Sequence, residues 1–335
     1  VNNIGDWVNT EGYLTKMSSA DNLIINGDVI NPQTPINLSL GYQMIGYLPE
    51  QPLNTEVVFE DILENLEDVR NSDGLMFIKI GSTWVNSIGF MKPGEGYLVN
   101  MIADDVLVYK EWECGDPIFD ERDGKSYNTV QISDQCWLKE NLNVGSMIIG
   151  NGNQTDNGVI EKYCYDNDPA NCDEYGGLYQ WNEMMQYTTT QGVQGICPAD
   201  WHIPTDDEWK ILEGTVDSQY PVGDPIWNTF GWRGFDAGLN LKSISGWYSN
   251  GNGINLYGFK ALPGGTRSCD YNIFVFLSYY ACFWSSSEFN NENALGRLIS
   301  YEFDGVSYNY TVKENAISVR CLTDETIHLP PEMPS

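Results

Sequence analysis

The chain has 335 residues, 41% of them hydrophobic and 13% aromatic, which is enough apolar material for two cores and a length that suggests two domains. Seventeen basic residues stand against 47 acidic ones, and the formal net charge of −30 excludes nucleic acid and anionic membrane as partners, because phosphates would be repelled. No apolar run is long enough to span a bilayer and no leader pattern is present, so Val1 reads as a processed start; the carboxylate excess suits a cation-rich medium, with calcium the cation to screen or ligate it.

Residues 1–112 contain no cysteine and carry their own apolar pattern, so they are read as a separate, small β-rich domain with one helix. Leu23-Ile24-Ile25 before Asn26-Gly27 reads as a strand entering a turn, and residues 42–48 as a second strand. After Pro52 the spacing predicts a helix over 56–69, with Val58, Ile62, Leu63, Leu66 and Val69 on one face. Strands follow at 75–80 and 96–99, with Pro93-Gly94 as the turn between them.

A hinge at 109–117 leads into a second domain over 113–324. Residues 127–132 alternate as a first strand, and 151–158 are polar and glycine-rich, a loop. Helices are expected at 178–187 and 205–217, with a short third within 232–241. The second has the clearest local grammar: Pro204 stops an extended Trp201-His202-Ile203, Thr205 stands at the N-cap, and Glu208 completes a capping box. Its first turn holds Asp206, Asp207 and Glu208, where the helix dipole favours negative charge. Short apolar runs at 259–262, 281–285, 295–303 and 316–322 are expected to build the core sheet under these helices, giving an α+β domain. Residues 325–335, with Leu329-Pro330-Pro331 and Pro334, form an extended Pro-rich tail. Such a tail packs on its own domain or docks onto a neighbouring copy, and head-to-tail docking builds an open filament.

The ordered motifs of this second domain are Cys136-Trp137-Leu138-Lys139-Glu140-Asn141-Leu142, Gly176-Gly177-Leu178-Tyr179-Gln180-Trp181, and a Cys197-Pro198 to Glu208-Trp209 run. Ala261-Leu262-Pro263-Gly264-Gly265, Phe283-Trp284-Ser285-Ser286-Ser287-Glu288 and Ser318-Val319-Arg320-Cys321 follow. Over about 114–324 this order resembles the Fibrobacter succinogenes major paralogous domain, a family of secreted and surface proteins in Bacteroidota and Fibrobacter relatives. The resemblance implies a C-type lectin-like fold, related to that of formylglycine-generating enzymes, and a bacterial cell-surface or extracellular location. It implies an architecture without implying a reaction.

Eight cysteines point to an oxidising compartment, and none is spaced as a zinc ribbon or a redox pair. Sequence alone leaves the pairing open. The motif order of the resembled family implies Cys164 with Cys172 and, as the long bridge of lectin-like folds, Cys197 with Cys321; Cys114 with Cys136 and Cys269 with Cys282 are expected as the remaining two.

Between Cys164 and Cys172 and just beyond, Asp166, Asp168, Asn171, Asp173 and Glu174 offer hard oxygen ligands, part of what calcium requires; the competing reading is a set of Asx turns. The proline-containing tripeptides of calcium-dependent sugar-binding lectins are missing, although Glu288, Asn290, Asn291, Glu292 and Asn293 bring similar residue types to the corresponding region. Trp181, Trp201, Trp209 and Trp284 lie in family motifs and are expected in the core; Trp227, Trp232, Trp247 and Tyr248 are expected to form an exposed platform. Cys269 and Cys282, with their flanking residues, are superficially similar to the copper-holding region of formylglycine-generating enzymes, but their spacing is wider and a structural disulfide is the simpler reading. His202 sits in a strand and His328 in the tail, so no histidine-based triad is expected. The sequence thus reads as a non-enzymatic, surface-displayed structural or adhesive protein whose partner is another copy of itself or a surface glycan or protein, a glycan-binding monomeric adhesin being the alternative.

Overall fold

The computed structural model of the protein describes residues 30–324, and the chain divides into two compact units, 1–119 and 120–335. The expected strand at Leu23-Ile24-Ile25, the tail at 325–335 and His328 lie outside the described residues.

The first unit is built on a five-stranded antiparallel sheet in the order Gly41–Gly46, Gly96–Met101, Leu66–Arg70, Met76–Ile80, Thr83–Asn86. Its core is Ile45, Val69, Phe77, Tyr97 and Val99, all essentially without solvent exposure. The expected helix over 56–69 is corrected. Helix occupies only Thr55–Phe59, capped by Asn54 accepting from the Glu56 N–H at 2.9 Å, and a 3₁₀ turn follows over Glu60–Ile62. The remainder turns into the central strand, where Val69 faces Val99 on one side and Phe77 on the other. The apolar spacing suits a helix, but a central strand satisfies its backbone on both edges, and this non-local pairing overrides a weak local preference. Asp68, buried in that strand, accepts from Asn100 Nδ2 at 3.0 Å and from Arg70 Nε at 2.6 Å.

The second unit is an α+β arrangement dominated by an eight-stranded sheet. Seven strands run in the order Gly231–Arg233, Val306–Val312, Asn293–Ser300, Tyr280–Glu288, Ala316–Ser318, Thr266–Ser268, Ile273–Val275, and Leu178–Gln180 joins Ala316–Ser318 off that path. The helix Asp206–Val216 forms as expected, with Thr205 as N-cap and both halves of the capping box made. It packs Trp209, Leu212 and Val216 into a core with Trp137, Phe259 and Phe283. The Trp209 indole N–H donates to the Trp284 carbonyl at 3.2 Å, so the buried polar edge of the ring is satisfied.

Three other expectations are corrected. The segment 178–187 is a strand, Leu178–Gln180, and then a single helical turn, Trp181–Met184, which Gln186 and Tyr187 end with positive φ of 50° and 59°. Within 232–241 the chain is first the edge strand Gly231–Arg233 and only then the helix Ala237–Leu241. Residues 259–262 contribute one isolated bridge, Ala261 with Lys242, because Lys260 adopts a left-handed φ of 55° that breaks an extended run.

Cys164–Cys172 and Cys197–Cys321 are disulfides, and Cys114 and Cys136 are each disulfide-bonded. Cys197–Cys321 ties residues 124 apart, and such a long loop contributes ~2–5 kcal/mol by constraining the unfolded chain. The expected Cys269–Cys282 bridge is corrected: both thiols are free. Cys269 lies at the tip of the hairpin of Thr266–Ser268 with Ile273–Val275, whose base is fixed by the Gly265 N–H donating to the Tyr280 carbonyl at 3.0 Å. Four residue steps from Gly265 through the strand Thr266–Ser268 to Cys269 separate tip from base, about 13 Å, whereas Cys282 is paired with Leu298 inside the sheet beyond that base. A disulfide requires Cα atoms within about 7 Å.

Candidate functional site

Of the four side chains expected to form an exposed platform, two are not on the surface. Trp227 and Trp247 are buried in the core, their indole N–H groups donating to the Pro221 carbonyl and to Ser243 Oγ, both at 3.0 Å. Trp232 and Tyr248 are exposed. Tyr248 belongs to a separate cluster, stacked on Tyr279 at 4.5 Å.

The larger exposed aromatic surface is built at the end of the sheet. Along Val306–Val312, alternate side chains share a face, so Tyr308, Tyr310 and Val312 point the same way. The edge strand Gly231–Arg233 pairs beside it, Gly231 opposite Tyr308, and delivers Phe230 onto the Tyr308 ring at 4.6 Å and 5°. The hairpin between Tyr280–Glu288 and Asn293–Ser300 delivers Phe289 onto Tyr310 at 4.6 Å and 6°. Phe230 meets Phe289 edge-on at 5.9 Å, which joins the two stacks. Phe230, Phe289 and Tyr310 are nevertheless 52%, 47% and 49% exposed. Trp232, on the other side of its strand, stacks on Phe303 at 4.4 Å.

Beneath the stacks lies a buried ion network. Glu213, on the capped helix, accepts from Arg233 and Arg297 at 2.5 Å each, and all three side chains are fully buried. Arg297 also pairs with Asp206 at 2.8 Å, and Lys210 reaches Asp206 at 2.7 Å. The Arg233 and Arg297 guanidinium carbons lie 4.2 and 4.8 Å from the Tyr308 ring centre, so the innermost ring of the platform rests on fixed cations. Burial pushes the Arg233 pKa down. Burial pushes that of Asp206 up, but Arg297 and Lys210 outweigh it and hold the carboxyl below the usual range.

The residues expected around the hairpin shape it. Asn290 Oδ1 accepts from the backbone N–H groups of Glu292 and Asn293, both at 2.9 Å, and Glu288 pairs with Lys313. Asn291 and Glu292 are exposed at the tip. The ring that this turn presents, Phe289, was missed at sequence level, as were Phe230 and Tyr310. The period-two spacing of Val306, Tyr308, Tyr310 and Val312 is the pattern that marks the strand.

The Fibrobacter succinogenes major domain family matches residues 130–323, more than half of the chain. The chain belongs to that family. No curated protein and no solved structure matches it. Within the family domain, the Ser318-Val319-Arg320-Cys321 motif is structural. Arg320 is buried, its pKa pushed down by burial to about 9, and it donates to Asn141 Oδ1 and to the carbonyls of Leu138 and Phe259.

The disulfide-closed loop of the family domain spreads its oxygens over separate tasks. Asp168 caps the helix Pro169–Tyr175 by accepting from the Ala170 N–H at 3.0 Å. Asn171 donates to the Tyr165 carbonyl, Asp173 pairs with Lys125 at 2.7 Å, and Asp166 takes a left-handed φ of 54° in the preceding turn. Glu174 lies exposed on that helix. Among the described residues, the trio of metal-capable side chains within reach of one another is elsewhere, at His202, Glu208 and Asp324.

Proposed function

We propose that this protein is a non-enzymatic structural or adhesive component of an extracellular bacterial surface, whose family domain is a rigid module that associates with other copies through its aromatic sheet edge. The observation that carries this reading is the joined pair of ring stacks, Phe230 on Tyr308 and Phe289 on Tyr310, half exposed at one end of the sheet. Clustered exposed rings on a rigid element are characteristic of protein contact surfaces. At the opposite end of the same sheet, Ile273–Val275 is the other edge strand, and Tyr271, Ile273 and Phe276 are exposed around it, Tyr271 by 86%. Two different apolar edges on one sheet are what a head-to-tail contact between copies requires, and such a contact propagates unless it closes into a ring.

Membership of the family and the disulfide-closed, helix-on-sheet core support a C-type lectin-like module secreted into an oxidising space. Among the described residues no helix is long and apolar enough to cross a membrane. Glycan binding is the less supported reading, because Phe289 and Tyr310 stack on each other and each gives up a flat face that a sugar would use.

The net charge of −30 opposes association and sets the test. Raising ionic strength from about 20 mM to 500 mM shortens the screening length from roughly 20 to 4 Å. Light scattering is expected to show a molar mass that climbs over this range; a mass fixed at that of one chain, together with retention on a glycan array, would favour the adhesin instead.

A further inference from the structure

We propose that His202, Glu208 and Asp324 form a site for a divalent transition ion of the zinc class, joining the last strand of the family domain to the head of its capped helix. Each residue offers one ligand atom, and the three atoms lie within 4.8 Å of one another. Two of the three are fixed before any ion arrives. His202 is held by a two-way backbone bridge to Leu322, its N–H donating at 2.9 Å and its carbonyl accepting at 3.1 Å, and the neighbouring Cys321 is tied to Cys197. Strand alternation then brings Asp324, two residues beyond Leu322, to the same side as His202.

Glu208 is fixed from the helix. Its Oε2 accepts from the Thr205 N–H at 2.6 Å and from Thr205 Oγ1 at 2.9 Å, while Oε1 faces His202 Nε2 at 2.9 Å. One oxygen is locked by the capping box and the other is left aimed at the imidazole, the oriented carboxylate that metal sites use. Ligand atoms around a tetrahedral zinc at 2.0–2.2 Å stand about 3.5 Å apart. Binding therefore opens the His202–Glu208 pair by about 0.6 Å from 2.9 Å and draws in Asp324, exposed at the strand end, by little more than 1 Å at most through rotation. His202 and Glu208 are each 17% exposed, so one side of the trio is open to water for the remaining position.

The donor set selects the ion. One imidazole and two carboxylates suit zinc and its neighbours, whereas calcium requires six to eight oxygens and does not favour imidazole.

The test is titration of chelator-stripped full-length protein with Zn²⁺ by calorimetry, with Ca²⁺ in millimolar excess to occupy unspecific surface carboxylates. One equivalent is expected to bind and to raise the thermal midpoint. Asp324→Asn, which leaves the capping box and the core untouched, weakens binding by about tenfold or more, His202→Gln abolishes it, and Cys269→Ser leaves it unchanged. Co²⁺ in place of Zn²⁺ gives intense visible bands that disappear in His202→Gln. Equal binding by wild type and Asp324→Asn, loss of binding in Cys269→Ser, or no saturable uptake below about 100 μM, a free energy near −5.5 kcal/mol, overturns the proposal.

Discussion

Two clusters of aromatic rings stand on opposite terms with water. Trp137, Trp209, Phe259 and Phe283 meet at centroid distances of 5.0–6.1 Å in the core, and none exceeds 1% exposure. Phe230, Phe289, Tyr308 and Tyr310 meet at 4.6–6.3 Å, and three of the four are about half exposed. The spacing is equally close, so distance does not distinguish them, although the surface stacks are near-parallel at 5° and 6° and the core pairs are tilted or edge-on. What differs is how each cluster is covered: helix and sheet enclose the first, with the single buried Arg320 guanidinium against Phe259 and Phe283, while the second lies over a buried Arg–Glu–Arg triad and leaves its outer rings in water. Removing core rings therefore tests folding, and removing surface rings tests contact.

The sharpest way to break the comparison is at Glu213, which sits on the helix that carries Trp209 into the core and in the triad beneath the surface rings. Glu213→Ala leaves the buried Arg233 guanidinium without its carboxylate and Arg297 with Asp206 alone, and is expected to cost about 3–5 kcal/mol in chemical denaturation, unsettling the core helix and the surface stack together. Replacing Glu213, Arg233 and Arg297 at once with apolar residues of similar volume is expected to recover much of that loss, since an unpaired charge costs more than an absent one.

Next in size is the direct contrast. Phe283→Ala is expected to lower stability by about 3–5 kcal/mol through the cavity it leaves. Phe289→Ser, in the exposed stack, stays within about 0.5 kcal/mol of wild type in the same denaturation experiment. If the two lost equal stability, the surface stack would be part of the core in all but exposure.

A smaller effect distinguishes the network by pH. The Asp206 carboxyl is lowered in the folded state, so its contribution is present above the ordinary value of about 3.9 and is lost as pH falls through the folded value below it. Acid titration of stability is expected to flatten in Asp206→Asn over that window and to be unchanged near neutrality. The smallest change concerns the thiols. Burial raises the Cys282 pKa to about 12, and Cys269 is only partly covered. Mass spectrometry is expected to find Cys269 alkylated in the native protein and Cys282 only after unfolding.

The parts legible in sequence are those determined by neighbours in the chain. Thr205 and Glu208 announce their helix because a capping box closes over four residues. The spacing over 56–69 predicts a helix where Leu66–Arg70 forms the central strand, because the partners of that strand, Gly96–Met101 and Met76–Ile80, are not its chain neighbours and their pairing leaves no local mark. Trp227 and Trp232 lie five residues apart in similar glycine-rich surroundings, yet one points into the core and the other outward. Only the pairing of Gly231–Arg233 with Val306–Val312 separates them. The free Cys269 and Cys282 show the same limit: an even count suggests a bridge, and the length of the intervening hairpin prevents it. The candidate site was visible as a region and misplaced in its residues. In the hairpin at Glu288 to Asn293 the sequence points to the polar side chains, of which Asn290, Asn291 and Glu292 are exposed, but not to the exposed ring beside them, Phe289.

The most direct measurement is the molar mass, by light scattering at about 500 mM salt where the screening length is near 4 Å, of wild type against a Phe230→Ser/Tyr310→Ser double variant. Association of the wild type and a single-chain mass for an equally folded variant are the expected result. Identical masses for the two proteins would contradict a role for this ring platform in assembly.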